Sequence, residues 1–437
     1  MRIAMIGTGY VGLVSGACLS EFGHNVVCVE KDSEKLAALK AGVIPIFEPR
    51  LDEVVATNVK VGRLSFEIDI TKAVRGADAI FIAVGTPSRR GDGHADLSYV
   101  YTAAEEIARA LSGYAVVVTK STVPVGTSRE VEKIIRRIRP DAAFDMASNP
   151  EFLREGSAID DFRRPDRVVV GCDTERAREV MREVYRPLYL HETPILFTSR
   201  ESSELIKYAA NAFLATKITF INEMADLCER AGADVQDVAR GIGLDGRIGA
   251  KFLHAGPGFG GSCFPKDTLA LRKTAQDLGA PAKIVEAVVA VNEARKVAMA
   301  EKIEKAFGGV RGKTIAVLGL TFKPNTDDMR DAPSLVIVPY LQQKGAVIRA
   351  FDPEGGKEAR KLLNIELCKD AFDALEGADG VVILTEWNEF RALDLVRMKA
   401  LLKRPLMIDL RNIYRPAQMS AAGFTYVSVG RATVTAD

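Results

Sequence analysis

The sequence has little of what marks a metalloprotein, a disulfide-bonded protein or a membrane protein. Its 437 residues include only 4 histidines and 6 cysteines, with no CxxC pair and no cluster at zinc-ligand spacing. No run reaches the roughly 18 apolar residues that a membrane span needs. A formal net charge of +1 gives no electrostatic reason for a nucleic-acid or membrane partner. We expect a cytoplasmic protein without a metal.

The first 30 residues carry the pattern of a dinucleotide-binding βαβ unit. A short apolar strand, Arg2 to Ile6, runs into GTGYVG, and an apolar-periodic helix follows from Val11 to about Phe22. A second strand runs from Asn25 to Val29. In this context the glycines admit a pyrophosphate, and the helix N-terminus supplies amides and the positive end of its dipole. A cleaved signal peptide, which the apolar start also resembles, has no use for this glycine spacing.

Glu30, at the end of the second strand, indicates the cofactor. Its carboxylate can accept both hydroxyls of an adenosine ribose and would repel a 2′-phosphate, so the predicted cofactor is NAD rather than NADP. The alternative is a glycine-rich turn with a surface glutamate. The candidate cofactor-binding residues of this unit are Gly7, Gly9, Tyr10, Val11, Gly12, Glu30 and Lys35.

Two further predicted strands end in hydroxyl and turn residues. Ala79 to Val84 runs into GTP, and Ala115 to Lys120 runs into STVPVG. Ligands of open parallel sheets bind beyond the carboxyl ends of strands, so these residues are candidates to line the nicotinamide half of the cofactor. The alternative is that Ser121 and Thr122 cap a helix, because Pro124 suits a first helical turn. The candidates are Thr86, Pro87, Ser121 and Thr122.

The segment from Met146 to Gly156, MASNPEFLREG, holds two carboxylates near the end of the first predicted domain. Glu151 and Glu155 lie four residues apart and would share one face of a helix. A solvated surface is the alternative, but the position favours a functional role.

The middle of the chain is predicted to be mostly helical. One long helix runs from Glu201 to about Ala231, and helical periodicity returns from Pro281 to Phe307. Lys207 and Asn211 lie one turn apart in the first of these helices and can point at one spot. Long apolar helices between two α/β units commonly bury a face against a second copy, so we expect a homodimer through the central helices.

One cysteine stands in an unusual setting between these helices. Gly256 to Asp267 reads GPGFGGSCFPKD, with Cys263 between glycines and a Phe-Pro-Lys-Asp corner. The glycines let the backbone approach a ligand closely. Pro265 restricts the backbone where the chain leaves this segment. Lys266 is a nearby cation that favours the thiolate, the form that attacks carbonyls. A buried cysteine acting as a small hydrophobe is the alternative, but the polar, non-periodic setting favours a nucleophile.

The opening pattern returns near the end of the chain. GKTIAVLGLTFKP, from Gly312, repeats the first strand and its turn, and GAVIRAFDPE repeats the second strand. The GLTFKP turn lacks the GxGxxG spacing, so we expect no tightly bound second dinucleotide there. Lys323, Arg330 and Arg411 come at or just after predicted strand ends, where cations could reach phosphates. Surface charge is the alternative.

These patterns predict an α/β fold with two doubly wound Rossmann-like domains joined by a central long-helix domain. The length of 437 residues fits about three domains of about 150 residues each. The predicted boundaries are 1–198 for the first domain, 199–309 for the helical domain with the cysteine loop, and 310–437 for the last.

A nicotinamide site, a nucleophilic cysteine, a Lys/Asn pair and no metal together indicate oxidation through an acyl-enzyme. A thiolate attacks an aldehyde to give a thiohemiacetal, loss of hydride to NAD gives a thioester, and water hydrolyses it. Lys207 and Asn211 would stabilise the oxyanion, and Asp267 would orient Lys207 or a water. A simple alcohol dehydrogenase needs no cysteine nucleophile.

The motifs GTGYVG, KSTVPVG, NPEFLREG, KYAANAF, RIGAKF and GPGFGGSCFPKD, in this order, closely resemble the UDP-glucose/GDP-mannose dehydrogenase family over essentially the whole chain. The resemblance implies a two-fold oxidation of a nucleotide sugar's primary alcohol to a carboxylate, with two NAD reduced. GGSC in place of the GGHC typical of members that act on N-acetylated sugars implies UDP-glucose as the substrate and UDP-glucuronate as the product. GDP-mannose or a UDP-N-acetylhexosamine is the alternative.

The same resemblance implies roles for individual residues. Arg247, in GIGLDGRIG, is implied to reach the substrate across a two-fold interface, with a solvated loop arginine as the alternative. The implied catalytic residues are Cys263 as nucleophile, Lys207, Asn211 and Asp267 for oxyanion and water, and Glu151 and Thr122 for proton transfer. Further candidate cofactor contacts are Glu155, Cys263, Lys266 and Arg330. The candidate substrate-binding residues are Glu151, Phe152, Leu153, Glu155, Lys207, Asn211, Arg247, Phe252, Leu253, Gly256, Phe259, Gly260, Lys323 and Arg411.

Two rival functions stay open on the sequence alone. A β-hydroxyacid dehydrogenase shares a Rossmann-plus-helical plan and a helix lysine followed four residues later by asparagine. It has no use for Cys263 or for a second α/β domain. A catalytically silent nucleotide-sugar sensor is disfavoured because every reactive position is filled.

Overall fold

The computed structural model describes residues 1–89 and 93–435. The chain divides into two compact units, residues 1–210 with 273–280, and residues 211–272 with the chain from 281 onward. Each unit contains one doubly wound sheet. The predicted fold class is therefore confirmed, whereas the three predicted domain boundaries stay a prediction.

The first unit is built on an eight-stranded sheet. Its strands are β1 (Arg2–Ile6), β2 (Asn25–Val29), β3 (Leu64–Glu67), β4 (Ala79–Ile82), β5 (Ala115–Thr119), β6 (Phe144–Ser148), β7 (Val168–Cys172) and β8 (Ile195–Thr198). Their order is β3-β2-β1-β4-β5-β6-β7-β8, and only β6 and β7 are antiparallel neighbours. The order reverses between β1 and β4, and ligands of such sheets bind beyond the carboxyl ends of the strands at this point.

Helices cover both faces of this sheet, so its central strand is buried on both sides. Ile3 and Met5 of β1 pack into one hydrophobic cluster, and Ala4 and Ile6 pack into another on the opposite face. The helices are α1 (Tyr10–Glu21), α2 (Ser33–Lys40), α3 (Leu51–Lys60), α4 (Ile70–Val74), α5 (Ser98–Ala110), α6 (Thr127–Ile138), α7 (Ala158–Arg163) and α8 (Glu175–Val184), followed by a 3-10 helix at Arg186–His191.

The middle of the chain is helical, as predicted. Its helices are α9 (Arg200–Ala231), α10 (Val235–Gly243), α11 (Phe264–Asp277) and α12 (Lys283–Phe307). Helices α9 and α11 each contain residues of both units. No helix in the described ranges is long and apolar enough to cross a lipid bilayer.

The second unit repeats the strand order of the first. Its strands are β9 (Thr314–Leu318), β10 (Val347–Phe351), β11 (Glu366–Leu367), β12 (Gly380–Ile383), β13 (Leu406–Asp409) and β14 (Thr425–Ser428), in the order β11-β10-β9-β12-β13-β14, all parallel. Residues of α9 and α12 pack against one face, where they share a core with β9. The remaining helices are α13 (Ser334–Gln343), α14 (Gly356–Leu362), α15 (Ala371–Leu375), α16 (Leu395–Leu401) and α17 (Pro416–Ala421), with a 3-10 helix at Asn388–Ala392.

Candidate active site

The turn after β1 needs glycine because other backbone lies too close for a side chain. Gly7 has φ +105°, and a Cβ there would lie 2.7 Å from the carbonyl oxygen of Ala83. A Cβ on Gly12 would lie 2.1 Å from the carbonyl oxygen of Gly7. A Cβ on Gly9 would meet no atom within 4 Å, so there is space in front of the turn. The glycines therefore let the chain turn tightly beside an open volume.

Helix α1 begins with amides that no side chain caps. Gly9 is its N-cap residue, and the first turn holds no acidic residue. Such a helix start binds phosphate through its amides and its dipole. The predicted fingerprint residues thus fit the pyrophosphate of a dinucleotide.

Glu30 follows β2 directly and is held by three neighbours. Its carboxylate accepts a hydrogen bond from the Thr8 hydroxyl and another from the Asp32 amide at 3.0 Å, and Lys35 Nζ lies 3.0 Å away. Burial by itself raises the pKa of Glu30, but these three groups lower it below its ordinary value. An ionised carboxylate here suits a ribose diol and opposes a 2′-phosphate, so the residues fit NAD.

A buried glutamate without a predicted role joins this turn to the segment after β6. Glu48 accepts hydrogen bonds from the Tyr10 hydroxyl, from the Gly156 amide at 2.6 Å and from the Ala158 amide at 2.7 Å. Burial, followed by the bond to Glu48, raises the pKa of Tyr10. The local sequence IFEPR does not distinguish Glu48 from a surface glutamate, so its role is visible only in the fold.

The loops after β4 and β5 meet through hydroxyl groups. Thr86 Oγ1 donates to the Thr122 carbonyl oxygen at 3.0 Å, and Ser121 Oγ donates to the Val84 carbonyl oxygen at 2.6 Å. All three hydroxyl residues are buried. The helix-cap alternative for Ser121 and Thr122 is wrong, because the N-cap residue of α6 is Gly126.

Glu151 and Glu155 do not share a helix face, because their segment is not helical. The segment between β6 and α7 is irregular, and Pro150 disfavours helical backbone at the residue before it. Glu151 is instead 6% exposed and lies 3.0 Å from Nζ of Lys207, which is 3% exposed. Burial by itself raises the pKa of Glu151, but Lys207 and a 2.6 Å hydrogen bond from the Leu153 amide lower it below its ordinary value.

A second buried lysine lies in the same cluster. Lys120, the first residue of KSTVPVG, is 4% exposed and donates to Asn149 Oδ1 at 3.0 Å and to the Tyr185 hydroxyl at 3.1 Å. Burial lowers the pKa of Lys120 to about 8, while the charge of Glu151 acts in the opposite direction. Lys120 had no predicted role, although a charged residue that ends an apolar strand is a usable signal in the sequence.

The Phe152 ring supports two cations beside this cluster. The guanidinium carbon of Arg167 lies 3.6 Å from the ring centroid, and Nζ of Lys207 lies 5.4 Å from it. Leu153 and Glu155 are half-buried in the same segment. The first unit thus brings Glu151 and Phe152 to Lys207.

In the second unit, Asp267 is fully buried between two donors. Asn211 Nδ2 donates to Asp267 Oδ2 at 2.6 Å, and Lys266 Nζ lies 2.6 Å from Asp267 Oδ1. Asp267 therefore orients the Asn211 amide. Its predicted action on Lys207 or a water, and the predicted action of Lys266 on the thiol and the cofactor, stay predictions.

Cys263 occupies the N-cap position of α11. Its carbonyl oxygen accepts the amide of Asp267 at 2.8 Å, the first bond of the helix. The predicted corner at FPKD is wrong, because these residues form the first helical turn, where a proline loses no hydrogen bond. A helix N-terminus favours the thiolate form of a cysteine. Cys263 is half-buried, whereas the other five cysteines are buried, and none forms a disulfide.

The glycine-rich loop before Cys263 passes close to the turns that carry predicted phosphate-binding cations. A Cβ on Gly260 would lie 2.3 Å from the carbonyl oxygen of Asp331. A Cβ on Gly256 would lie 3.3 Å from Nη1 of Arg411. Glycine at these two positions therefore allows the loop to lie against both turns.

Aromatic side chains pack around the start of α11. The ring of Phe264 lies 6.1 Å from that of Phe252 and 6.0 Å from that of Phe259, between centroids. Phe252 has φ +65°, and Leu253 and Phe259 are buried. The predicted substrate residues of this loop thus lie together beside the cysteine.

Arg411 and Lys323 lie beside Phe322. Arg411 Nε donates to the Leu384 carbonyl oxygen at 2.6 Å, and its Nη2 donates to the Phe322 carbonyl oxygen at 3.0 Å. Lys323 Nζ lies 5.4 Å from the Phe322 ring centroid. Lys323 thus lies in the turn after β9, and Arg411, which follows β13, contacts the same turn.

Arg330 and Arg247 each form an ion pair with an aspartate two residues earlier in the chain. Arg330 donates from Nε and Nη2 to Asp328, both at 2.8 Å. The Arg247 side chain is 90% exposed and lies 2.6 Å from Asp245. The contacts predicted for Arg330 with the cofactor and for Arg247 with the substrate stay predictions.

Apart from the exposed Arg247, the predicted residues thus form two groups, one in each unit. The first unit collects its group at the carboxyl ends of β1, β2, β4, β5 and β6. The second unit collects its group around the start of α11 and the turns after β9 and β13. Within residues 1–89 and 93–435, no three His, Cys, Asp or Glu side chains are placed to hold a metal ion.

Comparison with known proteins gives matches along nearly the whole chain. Residues 1–189 match the NAD binding domain, residues 201–294 the central domain and residues 316–416 the UDP binding domain of the UDP-glucose/GDP-mannose dehydrogenase family. A UDP-glucose 6-dehydrogenase from Rhizobium meliloti (strain 1021) is 65% identical over 435 residues, which cover 99% of this chain and 100% of that protein.

Two solved structures have the same fold over nearly their full length. The structure of a UDP-glucose dehydrogenase from Pyrobaculum islandicum is 38% identical with a TM-score of 0.91, covering 98% of each chain. A UDP-D-ManNAc dehydrogenase from Pyrococcus horikoshii is 26% identical with a TM-score of 0.86, covering 99% of each chain. These matches confirm the predicted family, its NAD cofactor and its dehydrogenase class. The chain belongs to the UDP-glucose/GDP-mannose dehydrogenase family.

Proposed function

We propose that this chain oxidises UDP-glucose to UDP-glucuronate in two successive oxidations and that Cys263 carries the covalent intermediate. The observation that carries the proposal is the placement of Cys263, a half-buried thiol at the start of a helix of 14 residues. Similarity to UDP-glucose dehydrogenases at 65% and 38% identity favours this sugar over the alternatives, GDP-mannose or a UDP-N-acetylhexosamine.

The first unit is proposed to hold NAD, which supplies a two-electron acceptor for each oxidation when it is bound. The uncapped start of α1 would bind its pyrophosphate, and Glu30 with Lys35 would bind its adenosine ribose. The loops that contain Thr86 and Pro87, and Ser121 and Thr122, would line its nicotinamide. Buried hydroxyls there exclude bulk water from the reacting atoms.

The second unit is proposed to hold the sugar nucleotide and the nucleophile. The Cys263 thiolate forms a C–S bond with the aldehyde carbon, and the carbonyl oxygen becomes an oxyanion that Lys207 and Asn211 stabilise. Departure of a hydride from that carbon leaves a thioester. Attack by water then breaks the C–S bond, releases the carboxylate and restores the thiol.

Buried polar partners keep these groups in the required states. Asp267 fixes the Asn211 amide so that it presents one orientation to the oxyanion. Glu151 has a lowered pKa and is therefore ionised at neutral pH, which lets it accept a proton. The cations Lys323 and Arg411 are proposed to bind the diphosphate, in the part of the chain that matches a UDP binding domain.

We also propose a homodimer through the central helices. Phe213, Phe220 and Leu227 recur every seven residues on α9 and are 65%, 47% and 57% exposed. Three large apolar side chains on one exposed stripe of a helix are typical of an interface with another helix. Phe220→Asp should convert the protein from dimer to monomer in sedimentation analysis, whereas a monomeric wild type would contradict the proposal.

The function is tested by counting reduced cofactor. With limiting UDP-glucose, we expect two NADH per sugar nucleotide consumed and no free aldehyde. A ratio of one would contradict the acyl-enzyme, and no reaction with UDP-glucose alongside turnover of GDP-mannose or a UDP-N-acetylhexosamine would favour the alternatives. No turnover with any of them would favour a sensor.

A further inference from the structure

Asn292, on α12, holds the middle of the glycine-rich loop by its backbone. Its Oδ1 accepts the Phe259 amide at 2.8 Å, and its Nδ2 donates to the Phe259 carbonyl oxygen at 3.1 Å. The side chain is buried, with the residue 3% exposed. An asparagine amide carries both a donor and an acceptor, so one side chain satisfies both polar groups of a loop residue, as a neighbouring strand would.

The residue before Phe259 also depends on this contact. Gly258 has φ +108°, and a Cβ there would lie 2.9 Å from Oδ1 of Asn292. The loop can therefore approach Asn292 closely only with glycine at this position. Loop sequence and helix side chain are matched to each other.

Two further buried side chains hold the start of the loop. The Gly256 amide donates to Asn222 Oδ1 at 2.8 Å, and the Gly256 carbonyl oxygen accepts from Arg295 Nε at 3.0 Å. Asn222 is 2% and Arg295 4% exposed, and the Arg295 charge is paired with Asp226. We call Asn222, Asn292 and Arg295 the loop clamp.

We propose that the loop clamp positions Cys263 for attack and that Asn292 is its central positioning residue. Asn292 fixes the chain four residues before the thiol, and the first turn of α11 fixes the chain directly after it. With both flanks held, the sulfur has one location relative to the substrate-binding loop. The proposal rests on the proposed role of Cys263 as the nucleophile and extends it.

Replacement of Asn292 by leucine, which has nearly the same size but no polar atom, tests the positioning role. Asn292→Leu should lower kcat on the order of 10²-fold, because a small displacement of a reacting group is enough for such a loss. Iodoacetamide should alkylate Cys263 several-fold faster than in wild type, because a loosened loop exposes the sulfur. The pH of half-maximal alkylation should not change, because the start of α11 is intact. Lower turnover together with higher thiol reactivity distinguishes lost positioning from a lost nucleophile.

Asn292→Asp provides a second variant that is tested by pH. A protonated carboxyl has a donor and an acceptor and can replace the amide, whereas an ionised carboxylate lacks the donor. The ratio of kcat of Asn292→Asp to kcat of wild type should therefore rise as the pH falls from about 8 to about 6. This recovery is expected only if the two bonds to Phe259 control the reaction.

The matched control is Tyr340→Phe, which removes a 2.9 Å hydrogen bond to Glu304, also on α12 but away from the loop. It should change neither kcat nor the alkylation rate. Asn292→Leu with a kcat within about twofold of wild type would overturn the proposal, as would a shifted alkylation pH at an unchanged limiting rate. If Asn292→Leu does not fold, the proposal is overturned when the kcat of Asn292→Asp relative to wild type does not rise at low pH. A wild type that does not oxidise UDP-glucose contradicts the proposed function instead, and the alkylation experiment still tests the clamp.

Discussion

Lys207 Nζ and Glu151 Oε1 lie 3.0 Å apart, and both residues are almost completely buried. A buried ion pair of this kind loses much of its attraction to the desolvation of both charges, so its presence is weak evidence for stability. Removal of one partner alone leaves an uncompensated buried charge. We therefore expect the pair to serve the reaction, and variants can separate its effect on stability from its effect on turnover.

Glu151→Gln should lower both the free energy of unfolding and kcat. The loss of stability should be about 3–5 kcal/mol, because the Lys207 charge stays buried without its partner. The double variant Glu151→Leu with Lys207→Met should recover most of that stability in urea denaturation but remain inactive. An active double variant would show that the pair is structural only. Lys133→Met, which breaks an exposed pair with Glu130, is the control and should change stability by less than about 1 kcal/mol.

The same pair shows what the sequence could and could not predict. Several strands and the second α/β sheet follow from local apolar runs and a repeated pattern, so they were predictable. Spacing of four residues between Glu151 and Glu155 suggested a helix, but the partner of Glu151 is Lys207, which the fold brings from 56 positions along the chain. Contacts of this kind depend on how α9 packs, which no local pattern specifies.

In the cysteine loop, by contrast, the sequence held a local signal, and that signal was misinterpreted. Pro265 suits the first turn of a helix, and α11 does start at Phe264, where a corner had been predicted. Asn222 and Asn292 were also detectable in principle, as polar residues on the inward faces of apolar helices. The hydrogen bonds that these two residues make to the loop backbone were not predictable, because each bond joins segments 33 or 34 residues apart.

Glu30→Gln should weaken the preference for NAD over NADP. Removing one charge near a 2′-phosphate changes the interaction energy by about 1–4 kcal/mol, so kcat/KM for NADP relative to NAD should rise at least about fivefold. Lys35, which lies 3.0 Å from Glu30, then becomes available to the added phosphate. Steady-state kinetics with both cofactors measure the ratio. A wild type that uses NADP as well as NAD would show that Glu30 does not bind the ribose.

Lys120→Met should stabilise the protein at neutral pH and weaken its pH dependence. The pKa of Lys120 is lowered by burial from 10.5 to about 8, a difference worth about 3 kcal/mol against the folded state below pH 8. Between about pH 8 and 10.5 the unfolded chain binds more protons at this residue, so wild-type stability should gain from Lys120 as the pH rises. Methionine removes the penalty, and Asn149 and Tyr185 keep their bond to each other at 2.5 Å. Thermal midpoints of wild type and variant at neutral pH and at alkaline pH check this prediction. A lower midpoint of the variant at neutral pH would contradict it.

Cys263→Ser should block formation of the carboxylate, because an alcohol of high pKa attacks poorly and its ester hydrolyses slowly. The fall in kcat should be several orders of magnitude, as for other catalytic nucleophiles. Cys263→Ala should still bind the aldehyde but form no covalent adduct in mass spectra of the intact protein. Cys228→Ala, at a buried cysteine of α9, is the control and should retain turnover. Production of the carboxylate by Cys263→Ala at near wild-type rate would contradict the acyl-enzyme.

Arg247 should act in the active site of the other subunit of the proposed dimer. Its side chain is 90% exposed and pairs with Asp245 on the same turn, so it is accessible to a second copy. Lys217 Nζ donates to the carbonyl oxygens of Ile248 and Gly249, both at 3.0 Å, which fixes this turn to α9. The stripe of Phe213 and Phe220 lies on the same helix, so the helix proposed to form the interface also carries the turn with Arg247.

Mixing two inactive variants tests this arrangement. Cys263→Ala chains and Arg247→Ala chains should each be inactive alone, and their reassorted dimers should recover up to about a quarter of wild-type activity. That fraction follows because random pairing puts half of the chains into mixed dimers, and one of the two sites in each is intact when a site combines residues from both subunits. Native mass spectrometry verifies the exchange. Verified exchange without recovered activity would mean that Arg247 serves its own subunit, because every mixed dimer would then have one site without the thiol and one without the arginine.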